Sequence, residues 1–331
     1  MKKIPAILVL GMHRSGTSML ASILSNAGAY TGPASTQLSG DIYNPKGYYE
    51  DHCINEINES IFLLKLKALL AEPEFVQYNR NISNYRNDGW LIAPWLESIE
   101  IETTPDIFKS GLKKFLSEWD GKAPIVIKDP RICYTFSDWS EYIDFRAILK
   151  IYRHPQSVIN SLMNRDKISL SLASDIYCLY NYQVNCIGKS IDSIACNYEK
   201  MIADPVQGIE RLSEFFMKLT QESQFPEPLD LSAINGKFNH FNKNENRIVG
   251  ADLNEIYKIH FDKAIESSWS KSNLVEHLPD ALLECSHRAN SRELDDIRIN
   301  YLRVLNHPIT GSILKLLQRI KSDPSFGKKL P

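Results

Sequence analysis

The sequence predicts an α/β protein whose central parallel sheet is flanked by helices on both faces. Two observations predict this class. Short continuous apolar segments, typical of buried parallel strands, alternate with segments of helical apolar spacing as far as about residue 220. From about residue 230 the strand pattern fades into polar loop and helical pattern. We therefore expect an α/β domain over residues 1–225, with a helical and loop insertion at about 72–122, and a mostly helical C-terminal extension over 226–331.

The chain opens with a strand, a glycine-bounded loop and a helix. Ile4–Leu10 is a continuous apolar run, and the polar residues 11–17 after it predict a turn. Apolar residues then recur at helical spacing over Ser18–Ala27, where Gly28 is a stop signal. Strand, loop and helix in this order form the first unit of a parallel sheet with helices on its faces.

The later elements are predicted from the same two patterns. Residues 29–49 have few periodic signals and form a long predicted loop, whereas residues 52–71 have the apolar spacing of an amphipathic helix. Further strands are predicted over Pro124–Lys128, Arg146–Tyr152 and Ile194–Tyr198, and helices over Pro155–Arg165, over Ser169–Ile191 and from Pro105 and Pro205. In the extension, helical stretches are expected near residues 252–269, 279–296 and 310–321.

Composition excludes several classes of protein. Hydrophobic residues are 43% and charged residues 24% of the chain, as in soluble globular proteins. The net charge of −2 and pI of about 6.5 lack the basic excess of a general nucleic-acid binder, so no nucleic-acid partner is expected. The six cysteines include no CxxC pair or zinc spacing, which predicts reduced thiols in the cytoplasm and no metal site. No apolar run approaches the roughly 20 residues of a membrane span.

The loop after the first strand has the glycine spacing of a P-loop, with threonine where nucleotide-hydrolysing enzymes place lysine. Backbone amides, a helix N-terminus, hydroxyl groups and a guanidinium still predict a concave positive site for phosphate, and hence a P-loop-type three-layer fold. The second predicted strand ends in Lys128 rather than in a carboxylate for Mg²⁺, so the loop is poorly suited to ATP hydrolysis. An ordinary glycine turn is the alternative. The expected anion ligands are Arg14, Ser15, Gly16, Thr17 and Ser18.

Further motifs lie in order along the chain. They are GMHRSGTSML at 11–20, NPKGYYED at 44–51, IVIKDPR at 125–131, RHPQSVINSLMNRD at 153–166 and NYEKMIADP at 197–205. Together, over roughly residues 4–220, they resemble the bacterial sulfotransferase family, whose relatives include tyrosylprotein and carbohydrate sulfotransferases. Several ordered motifs at predicted strand ends are more specific than any one of them.

The resemblance implies a sulfuryl donor and the residues that bind it. The donor of the family is 3′-phosphoadenosine 5′-phosphosulfate (PAPS), which leaves adenosine 3′,5′-bisphosphate as product. Residues 14–18, in the loop after the first strand, match the family's 5′-phosphate ligands. This loop, residues 11–18, is called the phosphate loop below. Arg153 and Ser161, eight positions later, match its 3′-phosphate signature, and Arg165 follows four residues further on the same predicted helix face. A solvated surface with a helix cap is the alternative. Tyr198 resembles a residue near the adenosine, or is a core tyrosine.

The resemblance also implies in-line transfer of the sulfuryl group to an acceptor hydroxyl without a metal. Lys128 would stabilise the oxygen between sulfur and the departing phosphate, unless it forms a purely structural ion pair. Glu50 matches the family's carboxylate base, and Asp51, His52 and His13 remain open as alternatives. His13 could instead donate to the sulfuryl oxygens.

The acceptor is not specified by the sequence. A carbohydrate or a small metabolite is expected from the family, and a lipid is a further class. An ATP-dependent phosphotransferase and a non-catalytic nucleotide-binding scaffold are the competing functions. The chain also departs from many eukaryotic relatives, which have a late Arg-Lys-Gly segment for the 3′-phosphate that is not found in this sequence.

Overall fold

The computed structural model describes residues 3–40, 47–70, 89–97, 99, 101, 105–166, 168–220, 225–231 and 234. The helices predicted near residues 252–269, 279–296 and 310–321 lie outside the described residues. The chain divides into two compact units, Met1–Asn58 with Thr103–Ala264 and Glu59–Glu102 with Ile265–Pro331. The sheet and every candidate site residue belong to the first unit.

Four strands form a fully parallel sheet in the order β2-β1-β3-β4. β1 runs through Ile4–Leu10, β2 through Val126–Lys128, β3 through Ile143–Tyr152 and β4 through Ser193–Asn197. Val9 pairs with Lys128, so the end of β2 lies beside the end of the central strand β1. The order confirms the predicted α/β class, because each parallel neighbour is reached by a crossover that contains helices.

Nine helices connect or follow these strands in the described part of the chain. They are α1 (Thr17–Asn26), α2 (His52–Leu70), α3 (Gly89–Leu96), α4 (Pro105–Phe115), α5 (Ile132–Ser140), α6 (Pro155–Asp166), α7 (Leu170–Cys186), α8 (Tyr198–Ala203) and α9 (Pro205–Thr220). α3 and the part of α2 from Glu59 onward belong to the second unit; the other described helices belong to the first. None of the helices in the described ranges is both long and apolar enough to cross a bilayer.

Several elements differ from the sequence prediction, and the largest differences concern α5, α7 and β3. α5 was not predicted, because its nine residues mix aromatic and polar side chains without a clear apolar period. α7 ends at Cys186 rather than at Ile191, since Ile187 is extended and Gly188 is left-handed at φ 63°. β3 begins at Ile143, three residues before the predicted Arg146.

Helices cover both faces of the sheet. On one face, α1, α8 and α9 pack on alternate strand residues, and the shared core includes Ile7, Val9, Leu149, Ile151 and Cys196. The opposite face carries Lys150 and Tyr152, which hydrogen-bond to the Ile187 carbonyl (2.8 Å) and to Asn185 Oδ1 (2.5 Å) after and within α7. α5 packs against β3 and α7. The layers therefore fix the strand ends from which the candidate site is built.

Candidate active site

The carboxyl ends of the four strands lie at one edge of the sheet, and the predicted site residues follow them directly. The loop 11–16 follows β1, Lys128 ends β2, Arg153 follows β3 and Tyr198 follows β4. The crevice outside this edge is where open parallel sheets bind ligands. The fold thus brings together groups as far apart in sequence as Arg14 and Arg153, which are 139 positions apart.

The loop after β1 lies against the neighbouring strand ends at two glycines. A Cβ atom on Gly11 would stand 2.6 Å from the carbonyl oxygen of Ile151, and one on Gly16 would stand 2.5 Å from the ring of Tyr198. Gly16 is left-handed at φ 98°, and Arg14 is left-handed at φ 69° although it is not glycine. Left-handed turns of this kind direct backbone amides toward a common concave side, as in anion-binding loops.

Ser15 and the start of α1 add donors to this concave side. The Ser15 hydroxyl is buried and has no hydrogen-bond partner in the described chain. An orphaned buried hydroxyl of this kind suits a ligand oxygen. α1 begins at Thr17, and its first amides have no intrahelical acceptor, so the positive end of the helix dipole faces the loop.

Arg14 joins the phosphate loop to the predicted 3′-phosphate residues. Its Nε donates to Ser161 Oγ at 2.8 Å, and its carbonyl oxygen accepts from Arg153 NH1 at 3.0 Å. The Arg153 guanidinium lies 4.4 Å above the centre of the Tyr198 ring, a cation–π contact. Arg153 is further fixed by its carbonyl oxygen, which accepts from the Tyr177 hydroxyl at 3.0 Å. The structure therefore places four of the predicted ligands in one buried cluster.

Burial lowers the pKa of both arginines of this cluster, Arg14 and Arg153. Burial, followed by the charge of Arg165, lowers the pKa of Arg14 to about 10. Burial also lowers the pKa of Arg153, against the opposing influence of Tyr198 and Glu199. Both side chains remain charged at neutral pH. Positive charge that is desolvated and mutually repulsive favours an anionic ligand over water.

Arg165 lies on α6 one turn after Ser161, as predicted. Its Nε and NH2 are both 2.8 Å from Asp166 Oδ2, so the guanidinium is held by a neighbouring carboxylate. Its charge still lowers the pKa of both Arg14 and His13. The structure thus places Arg165 within the field of the cluster, with part of its charge balanced by Asp166.

His13 is held neutral by its surroundings. Its Nε2 is inaccessible to solvent, and its ring contacts Tyr180 edge to face at 5.6 Å between centroids. Burial is the main cause that lowers the pKa of His13 well below 6.5, and four cations add to it, namely Arg165, Arg131, Lys128 and Arg14. A neutral imidazole can accept or donate one hydrogen bond without competing for the charge of an anion.

Lys128 and Glu50 form a buried ion pair next to the phosphate loop. Lys128 Nζ donates to Glu50 Oε1, to the carbonyl oxygen of Tyr48 at 3.2 Å and to Ser18 Oγ at 3.4 Å. Tyr49, between the two acceptor residues, is left-handed at φ 53°. The ammonium therefore links the predicted base to the loop. The structure brings together two of the predicted catalytic residues, and Glu50 is the carboxylate partner of Lys128 in this ion pair.

The two neighbours of Glu50 point to other partners. Asp51 is buried and accepts from the Thr36 hydroxyl and from the amides of Cys53 (2.8 Å) and Ile54 (3.4 Å), so it caps the start of α2. Burial raises the pKa of Asp51 despite these bonds. His52 is 59% exposed and contacts Glu56 at 3.3 Å. Of the three consecutive candidates, Glu50 is the one in contact with Lys128.

A buried polar network behind Glu50 was not predicted. Arg131 NH2 lies 3.9 Å from Glu50 Oε2, and its Nε lies 2.9 and 3.1 Å from the two oxygens of Asp129. Asn55 donates to Glu50 Oε2 at 3.2 Å, and Asn58 donates to Asp129 Oδ2 at 2.8 Å. The sequence signal was the acid and base beside Lys128 in IVIKDPR, directly after a strand.

These residues fit an organic anion with two phosphate groups. Loop amides, the Ser15 hydroxyl and the start of α1 could hold one phosphate, while Arg14, Arg153 and Ser161 could hold the other. Tyr198 could contact the group between them. Among the described residues, no three or more His, Cys, Asp and Glu side chains cluster in a way that could hold a metal ion. The described cysteines, Cys53, Cys133, Cys178, Cys186 and Cys196, are free thiols.

Comparison with known proteins finds similar solved structures. No family model and no curated protein matches the chain. The sulfotransferase domain of the olefin synthase from Synechococcus PCC 7002 is 16% identical over 80% of this chain and 98% of its own, with a TM-score of 0.42. Sulfotransferase STF9 from Mycobacterium avium is 14% identical over 81% and 78%, with a TM-score of 0.44.

A third solved structure, the sulfotransferase domain from the curacin biosynthetic pathway, is 14% identical over 78% of this chain and 98% of its own, with a TM-score of 0.39. All three neighbours are named as sulfotransferases.

Proposed function

We propose that this protein is a PAPS-dependent sulfotransferase that moves a sulfuryl group to an acceptor hydroxyl on a carbohydrate or small metabolite. The observation that carries the proposal is the contact of Arg14 with both Arg153 and Ser161. This contact would join a P-loop cradle to a second set of phosphate ligands, while Lys128 contacts both Glu50 and Ser18. ATP needs no second phosphate site at its ribose, whereas a 3′-phosphorylated nucleotide does.

The donor residues fall into two groups with different tasks. The loop residues Ser15 to Ser18 would bind and orient the 5′ end through amides and hydroxyls, at the positive end of α1. Arg14, Arg153 and Ser161 would bind the 3′-phosphate, for which a guanidinium offers paired donors. Tyr198 would support the adenosine while it holds the Arg153 guanidinium. Bound PAPS would supply the sulfuryl group and, once its sulfur–oxygen bond breaks, a stable bisphosphate leaving group.

Lys128 and Glu50 would have different roles: Lys128 would stabilise developing negative charge, and Glu50 would accept a proton. Lys128 Nζ, 3.4 Å from Ser18 Oγ, would donate toward the oxygen that gains charge as the leaving group departs. Glu50 Oε1 would take the proton of the acceptor hydroxyl as that oxygen forms its bond to sulfur. Both side chains are buried, so water is kept from the reacting atoms. A neutral His13 would orient nearby oxygens without adding charge.

Ligand-induced thermal stabilisation tests the donor assignment. We expect adenosine 3′,5′-bisphosphate to raise the melting temperature and ATP with Mg²⁺ to leave it unchanged, because only the former fills both phosphate sets. At 100-fold excess over its dissociation constant a specific ligand stabilises by about 2.7 kcal/mol. Arg153→Ala should abolish this shift. Arg146→Ala, which removes a 68% exposed arginine from the strand that precedes Arg153, is the matched control and should retain it.

Turnover separates an enzyme from a nucleotide-binding scaffold. Lys128→Ala and Glu50→Gln should bind the bisphosphate with unchanged affinity but lose transfer from PAPS to an acceptor panel of sugars, lipids and small alcohols. Equal stabilisation by ATP with Mg²⁺ would refute the donor assignment. A wild-type protein that binds the bisphosphate but never consumes PAPS with any acceptor would instead support the scaffold.

A further inference from the structure

Arg131 reaches two carboxylates at once in the buried network behind Glu50. It lies in the turn between β2 and α5, three residues after Lys128. Its Nε and its own amide are each 2.9 Å from Asp129 Oδ1, and its NH2 is 3.9 Å from Glu50 Oε2. Asp129, in turn, accepts from Asn58 at 2.8 Å. The guanidinium is therefore fixed from behind and presents a charge to Glu50.

The two oxygens of Glu50 have different partners. Lys128 occupies Oε1, whereas Asn55 (3.2 Å) and Arg131 (3.9 Å) lie at Oε2. This division matters because Lys128 cannot give its full charge to Glu50 and to a departing phosphate oxygen at the same time. A buried carboxylate that loses its only cation takes up a proton or turns toward water. A second cation on the opposite oxygen prevents both.

We propose that Arg131, anchored on Asp129, is a positioning residue that holds Glu50 by Oε2 and keeps Oε1 available as the base while Lys128 serves the leaving group. This inference rests on the proposed function. Arg131 acts through Glu50 and does not itself touch the reacting atoms. Two buried cations and two buried carboxylates, Lys128, Arg131, Glu50 and Asp129, balance one another in this arrangement.

A kinetic double-mutant cycle tests whether Arg131 acts through Glu50. Glu50→Gln should lower kcat by about 10²- to 10⁴-fold, as expected for loss of a general base. Arg131→Gln should lower kcat by roughly tenfold or more, with the Michaelis constant for PAPS and the affinity for the bisphosphate unchanged within about twofold. The double variant should be no slower than Glu50→Gln, because the two residues form one unit. If the two losses multiply instead, Arg131 does not act through Glu50 and the inference is overturned.

Two further variants separate positioning from general damage. Arg131→Lys keeps the charge but cannot reach both Asp129 and Glu50 with a fixed fork, so it should restore part of the kcat lost in Arg131→Gln. Arg146→Gln makes the same change at an exposed arginine paired with Asp144 and should leave kcat unchanged. If kcat of Arg131→Lys is as low as that of Arg131→Gln while kcat of Arg146→Gln is unchanged, a positive charge at Oε2 does not sustain the activity of Glu50. That result would overturn the inference.

An unfolding cycle supplies a readout without turnover. We expect the shifts in the urea midpoint caused by Arg131→Gln and Glu50→Gln to be non-additive, with the double variant more stable than the sum of the single changes allows. Additive shifts would overturn the inference even if the enzyme is active. If wild-type protein transfers no sulfuryl group, the proposed function fails, and this cycle still decides whether Arg131 holds Glu50.

Discussion

Lys128 is buried, and its ammonium has Glu50 as its carboxylate partner. Desolvation of both ions is repaid only while both are present, because removing one leaves an uncompensated buried charge. A second buried lysine, Lys150, allows a comparison between two kinds of partner. Lys150 lies on β3, and its ammonium donates to the backbone carbonyl of Ile187 at 2.8 Å rather than to a carboxylate.

We expect Lys128→Met to destabilise the protein by about 3 kcal/mol, because the Glu50 charge loses its main partner. Adding Glu50→Gln should restore most of this loss, since the amide needs no counter-charge. The measurement is urea unfolding of wild type, both single variants and the double variant. Lys150→Met is the matched control, and Glu50→Gln should give it no rescue. Equal rescue of both lysine variants would contradict a specific Lys128–Glu50 pair.

His13 makes the stability of the fold depend on pH. Burial and the four neighbouring cations depress the pKa of His13 in the folded state, whereas an unfolded histidine titrates near 6.5. Below about pH 6.5 the unfolded chain therefore binds the proton first, and the free energy of unfolding falls as the pH falls. The contribution of His13 to stability is complete above pH 6.5 and is lost in acid.

Urea unfolding at pH 7.5, 6.5 and 5.5 tests this sign. Between pH 6.5 and 5.5 wild type should lose up to about 1.4 kcal/mol more than His13→Gln, which is the limit for one proton per pH unit. His52→Gln changes a 59% exposed histidine and should follow the wild-type curve. If His13→Gln and wild type lose equal stability in acid, His13 is not held neutral.

At the scale of elements, the phosphate loop depends on close contact between Gly16, at its end, and the start of α8. Gly16 has no side chain to clash with the Tyr198 ring, and that ring in turn supports Arg153. The geometry of the loop and the position of the arginine are therefore linked through one tyrosine. A residue with a larger side chain at position 16 would have to displace the Tyr198 ring and, with it, the Arg153 guanidinium.

Gly16→Ala should abolish stabilisation by adenosine 3′,5′-bisphosphate and lower the melting temperature. Its Cβ would stand 2.5 Å from Tyr198 Cδ2 and 3.2 Å from Ile151 Cδ1, in addition to a left-handed strain of about 1–2 kcal/mol. Gly121→Ala is the control, because Gly121 is also left-handed, at φ 79°, but its Cβ would meet nothing within 4 Å. Differential scanning fluorimetry with and without ligand compares the two. Retained ligand binding in Gly16→Ala would contradict the close packing of loop and tyrosine.

At the scale of the whole molecule, the net charge of −2 conceals a concentration of cations at the carboxyl edge of the sheet. Arg14, Lys128, Arg131 and Arg153 converge there from three separate parts of the chain. In the proposed reaction, cations at this edge would stabilise the charge on the transferring group.

Transfer from PAPS should therefore persist at an unchanged rate after dialysis against EDTA, because these side chains carry the charge that a metal would supply. The measurement compares initial rates of transfer with and without about 5 mM Mg²⁺, at roughly physiological ionic strength. An ATP-dependent phosphotransferase would lose its activity in the same assay. Recovery of transfer only when a divalent cation is added back would contradict a metal-independent reaction.

The sequence by itself determined the succession of the four strands along the chain, and it predicted the candidate site residues that follow them, because both depend on local patterns. Apolar runs identify β1 and β3, and residues that follow parallel strands must lie at one edge. Only the tertiary structure decided that Glu50 rather than Asp51 contacts Lys128, since adjacent side chains point apart and the partner lies 78 positions away. Only the tertiary structure, likewise, brought Arg131 close to Glu50 and Asp129 close to Asn58. These contacts depend on the spatial order of the strands, which no local pattern encodes.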